Sequence, residues 1–160
     1  MIRARGLAKR FGDKRIFDGL DLEVERGVSR GEVGFLAHEP LVYRELTALE
    51  NLELYGRLYR VPERRERVGM LLERFGLWEA RNQRASSFSR GMLQRLALCR
   101  TFLHDPRLLV LDEPYSALDA EGVELLDREL AARRSDATFL VATHDPEQLE
   151  PLATGRLAFA

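Results

Sequence analysis

Three patterns of apolar and polar residues follow one another along this chain, and each predicts a different kind of element. Residues 7–25 alternate in part around a turn at 10–14, which predicts two short strands. Residues 32–37 (EVGFLA) are an apolar run that predicts a buried strand entering a loop at His38. The first 37 residues are therefore predicted to be a β region.

The middle of the chain, residues 38–105, has apolar residues at helical spacing. Thr47 and Glu50 form the S/T-x-x-E pattern that caps the start of a helix. A second helix is predicted to end at Gly76, because helices commonly terminate on glycine. With a third predicted helix at 91–103, this region should form a helical subdomain.

Two short apolar runs near the C-terminus predict parallel strands. Residues 108–111 (LLVL) and 138–142 (TFLVA) are apolar throughout, as expected of strands buried on both faces. An amphipathic stretch at 121–134 predicts the connecting helix, with Val123, Leu126 and Leu130 facing inward. Strand, helix and strand together predict a βαβ unit with a right-handed crossover.

Chemically capable residues stand at the carboxyl ends of these two strands. Asp112 and Glu113 directly follow the first, and His144 lies just beyond the second. Open α/β sheets bind ligands at this edge, and an acidic pair there suits a hard cation and the activation of water. We therefore expect Glu113 and His144 to share one edge of the sheet. The alternative is a strand that simply ends in a charged turn, beside a structural histidine.

The start of the third helix is a second candidate site. Ser89 and Gly91 lie where free N–H groups and the helix dipole attract anions. Taken in isolation, these residues are better explained by simple N-capping through Ser89. Asp119 could likewise only cap the helix that follows it.

Composition limits the class of protein. The 160 residues are 45% hydrophobic and 32% charged, which is typical of a soluble domain with a sizeable core. The net charge of -1 argues against a nucleic-acid partner. Cys99 is the only cysteine, which excludes an internal disulfide and fits a reducing compartment. The N-terminal residues lack the apolar core of a secretory signal, and no run approaches the ~18 apolar residues of a membrane span, so we expect any membrane role to act through a partner.

In their order and spacing, these motifs resemble those of the ABC-type ATPases over nearly the whole chain. FSRGM (88–92) is similar to the family's signature LSGGQ, with Arg90 for the first glycine and Met92 for the glutamine. LLVLDEP (108–114) resembles the Walker B strand, and SALD (116–119) resembles the D-loop.

The segment VGFLAHEP (33–40) resembles the one that carries the Q-loop, with His38 where glutamine is usual. His38 together with YRELTALENL (43–52) is similar to the haem-exporter ATP-binding subunits of cytochrome c maturation. In transporters this surface docks the membrane subunit's coupling helix, which makes Leu41, Val42 and Tyr43 candidates for that contact.

The resemblance implies a role for each candidate residue, with ATP and Mg²⁺ as cofactors. Glu113 would polarise water, Asp112 would organise Mg²⁺, and His144, as the switch histidine, would contact the γ-phosphate. Phe11 sits where an aromatic residue commonly stacks on adenine. The other implied nucleotide-binding positions are His38, Ser89, Arg90, Gly91 and Asp119.

The resemblance also implies a fold and partners. The expected fold is α/β, a P-loop NTPase-like parallel sheet with an N-terminal antiparallel β segment and a helical subdomain. Its expected parts are an N-terminal β region with the Q-loop strand (1–37), the Q-loop and helical subdomain with the signature (38–105), and a Walker B to switch-histidine core (106–160). These parts would form a single truncated ATP-binding domain. Expected partners are a membrane permease subunit and a second ATP-binding subunit, as a homo- or heterodimer, on the cytoplasmic face of the cell membrane.

The family's phosphate-binding P-loop, G-x-x-x-x-G-K-[ST], does not occur in this sequence. Lys9 and Lys14 are the only lysines, and neither follows a glycine. By resemblance, the loop belongs between 20–27 and 32–37, where only residues 28–31 are found. The missing stretch would also hold a central strand and the helix after it, so we expect an uncovered flank on the 138–142 strand and a tendency to aggregate or pair.

Three functional interpretations remain open at this point. The chain could be an ATP-binding subunit that couples ATP hydrolysis to export but is defective in its own ATP site. It could instead be an inactive binding subunit that offers Ser89 and Gly91 to an intact partner. It could also be a non-functional, internally deleted remnant. A DNA-repair ATPase of the same family is a weaker alternative, because no long heptad arms interrupt the chain.

Overall fold

Antiparallel pairing dominates the start of the chain. The computed structural model describes residues 2–11, 14–24, 30–145 and 147–151. Strands β1 (Ile2–Phe11) and β2 (Lys14–Val24) form a two-stranded antiparallel sheet. The predicted β segment is confirmed, with strands longer than the sequence pattern indicated. The tip of the predicted turn, residues 12–13, lies outside the described residues.

The second sheet has three parallel strands. Its strands are β3 (Val33–Leu36), β4 (Leu108–Asp112) and β5 (Thr138–Ala142), in the spatial order β3-β4-β5. Helix α4 (Ala120–Ala132) connects β4 to β5, so the predicted βαβ unit is present. Leu126 and Leu130 of α4 are buried as predicted, whereas Val123 is half-buried. The α/β class and the parallel core are confirmed.

Three helices form the predicted helical subdomain: α1 (Ala48–Leu58), α2 (Arg64–Arg74) and α3 (Arg90–Phe102). The capping box of α1 is present, since Thr47 Oγ1 accepts the Glu50 N–H at 3.1 Å and Glu50 Oε2 accepts the Thr47 N–H at 2.8 Å. Gly76 follows α2 with φ of 66°, a left-handed conformation that glycine adopts without strain.

Helix α3 is the centre of the hydrophobic core. Every residue from 93 to 102 is buried, because α3 packs against α1, α2 and β3. Its buried neighbours include Phe75 after α2, whose ring lies 5.9 Å from that of Phe102. This helix therefore joins the helical subdomain to the sheet.

One face of the sheet packs against the core, and the described residues leave the side chains of the other face, called the bare face here, partly exposed. Leu36, Leu109 and Leu111 belong to the buried core. Phe35, Val110 and Leu140 lie in register on the opposite side of their strands, and Phe35 is 47% and Leu140 is 45% exposed. The prediction that β5 is buried on both faces is therefore wrong. Its residues alternate between exposed and half-buried, because within the described chain β5 pairs only with β4. Within the described residues no strand pairs with the outer flank of β5, and the uncovered flank that we expected there stays a prediction for the chain as a whole.

Candidate functional site

Glu113 and His144 meet at the carboxyl edge of the sheet, as the sequence predicted. The Glu113 N–H donates to the carbonyl oxygen of Ala142 at 2.9 Å, which holds the turn after β4 against the end of β5. Glu113 Oε1 accepts the backbone N–H of His144 at 2.9 Å, and Oε2 lies 2.8 Å from His144 Nδ1. Glu113 has φ of 47°, and such left-handed conformations at residues other than glycine concentrate at functional sites.

Glu113 favours the protonated form of His144. The hydrogen bond to Glu113 and the negative charge of that carboxylate raise the pKa of His144. Thr143 Oγ1 lies 3.4 Å from Glu113 Oε2, so both carboxylate oxygens have a partner. The Glu113 side chain is 22% exposed and that of His144 is 83% exposed. A carboxylate oriented in this way can act as a general base, while the exposed imidazole of His144 is accessible to an anionic group.

Asp112 is the neighbouring carboxylate. It ends β4, is half-buried, and makes no side-chain hydrogen bond or ion pair with the described residues. Those residues contain no group of three or more His, Cys, Asp or Glu side chains that could hold a metal ion. As a single carboxylate, Asp112 could coordinate Mg²⁺ if water and phosphate oxygens completed the coordination sphere, which is how proteins often bind this ion. Because the sequence provides no phosphate-binding loop, the residues present do not fit MgATP as a complete site.

At the start of α3, Ser89 acts as the helix cap. Its Oγ accepts the Met92 N–H at 3.2 Å, and both Ser89 and Arg90 are exposed. A Cβ on Gly91 would lie 2.9 Å from the carbonyl oxygen of Ala117, so the absence of a side chain lets the 116–119 segment approach α3. The structure thus brings the FSRGM and SALD segments together, and the capping explanation for Ser89 holds.

Asp119 caps α4 and also forms an ion pair. Its Oδ1 accepts the Gly122 N–H at 2.9 Å and lies 2.5 Å from a terminal nitrogen of Arg95. The Gly122 hydrogen bond and then the Arg95 hydrogen bond lower the pKa of Asp119. Sequence reasoning missed Arg95, which also contacts Glu121 at 3.2 Å. A charged residue inside an apolar helix was the available signal.

The remaining predicted residues lie apart from the Glu113–His144 pair. His38 is exposed in the loop after β3, at the same edge of the sheet as Asp112, because β3 and β4 are parallel and in register. Phe11 ends β1, and its side chain is not among those described. Leu41 and Tyr43 are exposed and Val42 is half-buried, so the surface predicted to contact a membrane subunit is accessible. The nucleotide-binding roles of these residues stay predictions.

Comparison with known protein families shows the family to which this chain belongs. The profile of the ABC transporter family matches residues 9–116, a span that includes Ser89, Gly91, Asp112 and Glu113. The chain belongs to this family. Asp119 and His144 lie beyond the matched span.

Relatives of this chain are ATP-binding proteins of several transport systems. It is 41% identical over 130 residues to the uncharacterized ABC transporter ATP-binding protein YxlF of Bacillus subtilis, covering 78% of this chain and 44% of that protein. It is 40% identical over 130 residues to the lipoprotein-releasing system ATP-binding protein LolD of Pseudomonas syringae pv. tomato, covering 77% and 56%. It is 30% identical over 198 residues to the daunorubicin resistance ATP-binding protein DrrA3 of Streptomyces coeruleorubidus, covering 95% and 63%. The chain thus spans about half the length of the curated relatives it matches.

The fold agrees with that of a solved ATP-binding subunit of an ABC transporter. The two structures superpose with a TM-score of 0.78 at 21% identity, over 94% of this chain and 82% of the other. Within the described residues, none of the helices has the length and apolar character needed to cross a membrane.

Proposed function

We propose that this chain is an ABC transporter ATP-binding subunit that keeps the water-activating edge of an ATP site but not the loop that holds the phosphates. The observation that carries the proposal is the Glu113–His144 pair beside Asp112, whose carboxylate has no hydrogen-bond partner among the described residues. By family resemblance, Glu113 would orient water, Asp112 would hold Mg²⁺ and His144 would contact a phosphate oxygen only if a phosphate-binding loop were supplied. The proposed partners are a second ATP-binding subunit and a membrane permease subunit at the cytoplasmic face.

Three observations support the loss of an internal segment. The sequence contains no Gly-Lys pair. Strand β5 has an open flank among the described residues. The alignment with DrrA3 extends over 198 residues although this chain has 160, so that relative contains residues within the aligned region that have no counterpart here. We infer that a strand, the P-loop and the following helix are missing near residues 28–31.

Titration of the purified full chain with MgATP tests the proposal. We expect no saturable binding in the micromolar range, because the phosphates have no backbone cradle. Saturable micromolar binding would overturn the proposal. Sequencing the DNA across codons 27–32 adds an independent check, since a frame-preserving deletion there is the expected result.

A second candidate function is that of a binding subunit that completes the ATP site of an intact partner. The exposure of Ser89 and Arg90 at the start of α3 favours it. In a complex with an intact ATP-binding subunit, Ser89→Arg should abolish the partner's ATPase activity, while Glu113→Gln should change it little. Equal losses from both substitutions would exclude this function.

The transported substrate is a further part of the proposal. By its resemblance around His38 and residues 43–52, the chain would serve a haem exporter. The relatives carry names from other systems, including lipoprotein release and daunorubicin resistance, so this assignment stays a prediction. Photo-cross-linking from Tyr43, which is 49% exposed, should capture a permease subunit if this surface docks the transporter. Absence of a membrane-protein adduct would count against that docking.

A further inference from the structure

The outer edge of β5 has backbone groups that no described residue pairs with. The Thr138 N–H donates to Arg107 O at 2.8 Å, and Ala142 O accepts the Glu113 N–H at 2.9 Å. Because backbone groups alternate in direction along a strand, residues 138, 140 and 142 bond to β4, and those of Phe139 and Val141 point outward. None of the described residues forms a hydrogen bond with these outward N–H and C=O groups.

We propose that two copies of this chain associate through β5, as antiparallel strands related by a two-fold axis, with Leu140 opposite Leu140 of the second copy. In this register Phe139 of each copy lies opposite Val141 of the other. Each outward N–H then meets an outward C=O, and no backbone group of the two edges stays unpaired.

The apolar side chains complement each other in the same register. Phe35, Val110 and Leu140 form a row across the bare face of the sheet, and the pairing joins this row to its copy. Phe35 is 47% and Leu140 is 45% exposed in the single chain, so association removes apolar surface from water. Such side-chain pairs across neighbouring strands are a main source of sheet stability.

Charges also favour this arrangement. Residues 138–142 (TFLVA) carry none, so no like charges oppose each other along the strand.

The opposite edge of the sheet limits the assembly to two copies. The outward carbonyl oxygen of Phe35 accepts a hydrogen bond from Arg100 at 2.6 Å, and that of Val33 lies 3.1 Å from His104 Nε2. These side chains cover the edge of β3, and covered edges do not recruit further strands. The combined sheet therefore ends on two covered edges, and the interface is closed by symmetry.

Light scattering coupled to size-exclusion chromatography tests the proposal on the full chain, with no need for ATP, so it can fail independently of the proposed function. We expect twice the 18.4 kDa chain mass. Leu140→Lys should halve the mass, because like charges then face each other. Leu58→Lys is the matched control: Leu58 is 65% exposed on α1, away from the sheet, and its change should leave the dimer intact.

Mixing the Leu140→Lys and Leu140→Glu variants shows whether Leu140→Lys is monomeric because the interface is lost or because the chain does not fold. The mixture should recover the dimer mass, since opposite charges then face each other. The proposal is overturned by a monomeric native chain, by a dimer that survives Leu140→Lys, by equal effects of Leu58→Lys and Leu140→Lys, or by a mixture that stays monomeric. Open-ended aggregates of the native chain would also overturn it.

Disulfide trapping tests the register itself. Residues opposite each other in a non-hydrogen-bonded antiparallel pair have Cα atoms about 4.5 Å apart, within the range of a disulfide. Leu140→Cys should therefore cross-link two copies under oxidation, whereas Thr138→Cys, opposite Ala142, should not. Cys99 is fully buried and does not interfere. Cross-linking that is equal for the two variants would contradict the proposed register.

Discussion

The two edge strands of the parallel sheet differ in how their outward backbone groups are hydrogen-bonded. On β3, Arg100, Thr101 and His104 from the end of α3 provide hydrogen-bond donors or ring nitrogens to the outward carbonyl groups. On β5, the described residues provide none. The helical subdomain therefore covers one edge of the sheet from within the chain, whereas the described residues leave the other edge open to the proposed second copy.

The largest expected difference is in the free energy of unfolding lost by truncating side chains on the two faces of the central strand, β4. Leu109 is fully buried beneath the helices, and Val110 is half-buried on the bare face. Leu109→Ala should lower the free energy of unfolding by about 2–5 kcal/mol, because it leaves a cavity. Val110→Ala should lower it by only about 1 kcal/mol. Urea unfolding measures both, and equal losses would show that the second face is also covered.

A smaller effect is expected at the covered edge. Arg100 is 6% exposed, and its removal leaves the Phe35 carbonyl with only the long hydrogen bond from Thr101, at 3.3 Å. Arg100→Ala should therefore lower the free energy of unfolding by about 1.5–3 kcal/mol. Arg107→Ala is the control, because Arg107 is 72% exposed and 4.0 Å from Glu32, and it should lose less than about 1 kcal/mol. Comparable losses would mean that the β3 edge gains nothing from Arg100.

The smallest expected effect is a difference in how stability depends on pH through the two histidines, whose pKa values are shifted in opposite directions. Burial lowers the pKa of His104, whereas the hydrogen bond to Glu113 raises that of His144. Stability contributed through His104 should fall as the pH drops below about 6.5. Stability contributed through His144 should be complete below about 6.5 and lost as the pH rises through its folded pKa.

Nuclear magnetic resonance titration of the imidazole protons measures both values. Glu113→Gln should return the pKa of His144 towards its ordinary range and leave that of His104 unchanged. If both histidines move together, the Glu113–His144 contact is not the cause of the shift.

Local chemistry explains what the sequence could predict. The capping box at Thr47 and the helix end at Gly76 depend only on neighbouring residues, so both can be predicted without knowledge of the tertiary structure. The shared edge of Glu113 and His144 follows from parallel strands that both end there. These features needed no knowledge of distant contacts.

Distant contacts account for what the sequence could not predict. An apolar strand has the same pattern whether it is enclosed or has lost a neighbour, so TFLVA gave no sign of the exposure of Leu140. The partner of Arg95 is Asp119, 24 residues away, and the pattern of α3 shows a charge but not its counterion. The hydrogen bonds from Arg100 and His104 to β3 likewise span most of the helical subdomain.

Inserting the segment that we propose to be missing tests whether its loss alone prevents ATP binding. The residues of DrrA3 that lie within its aligned region and have no counterpart here would replace residues 28–31, and MgATP binding would be measured by calorimetry on a chain that melts cooperatively. We expect saturable micromolar binding, together with loss of self-association, because the inserted residues would then cover the outer edge of β5. A cooperatively folded chain that still fails to bind MgATP would contradict this account.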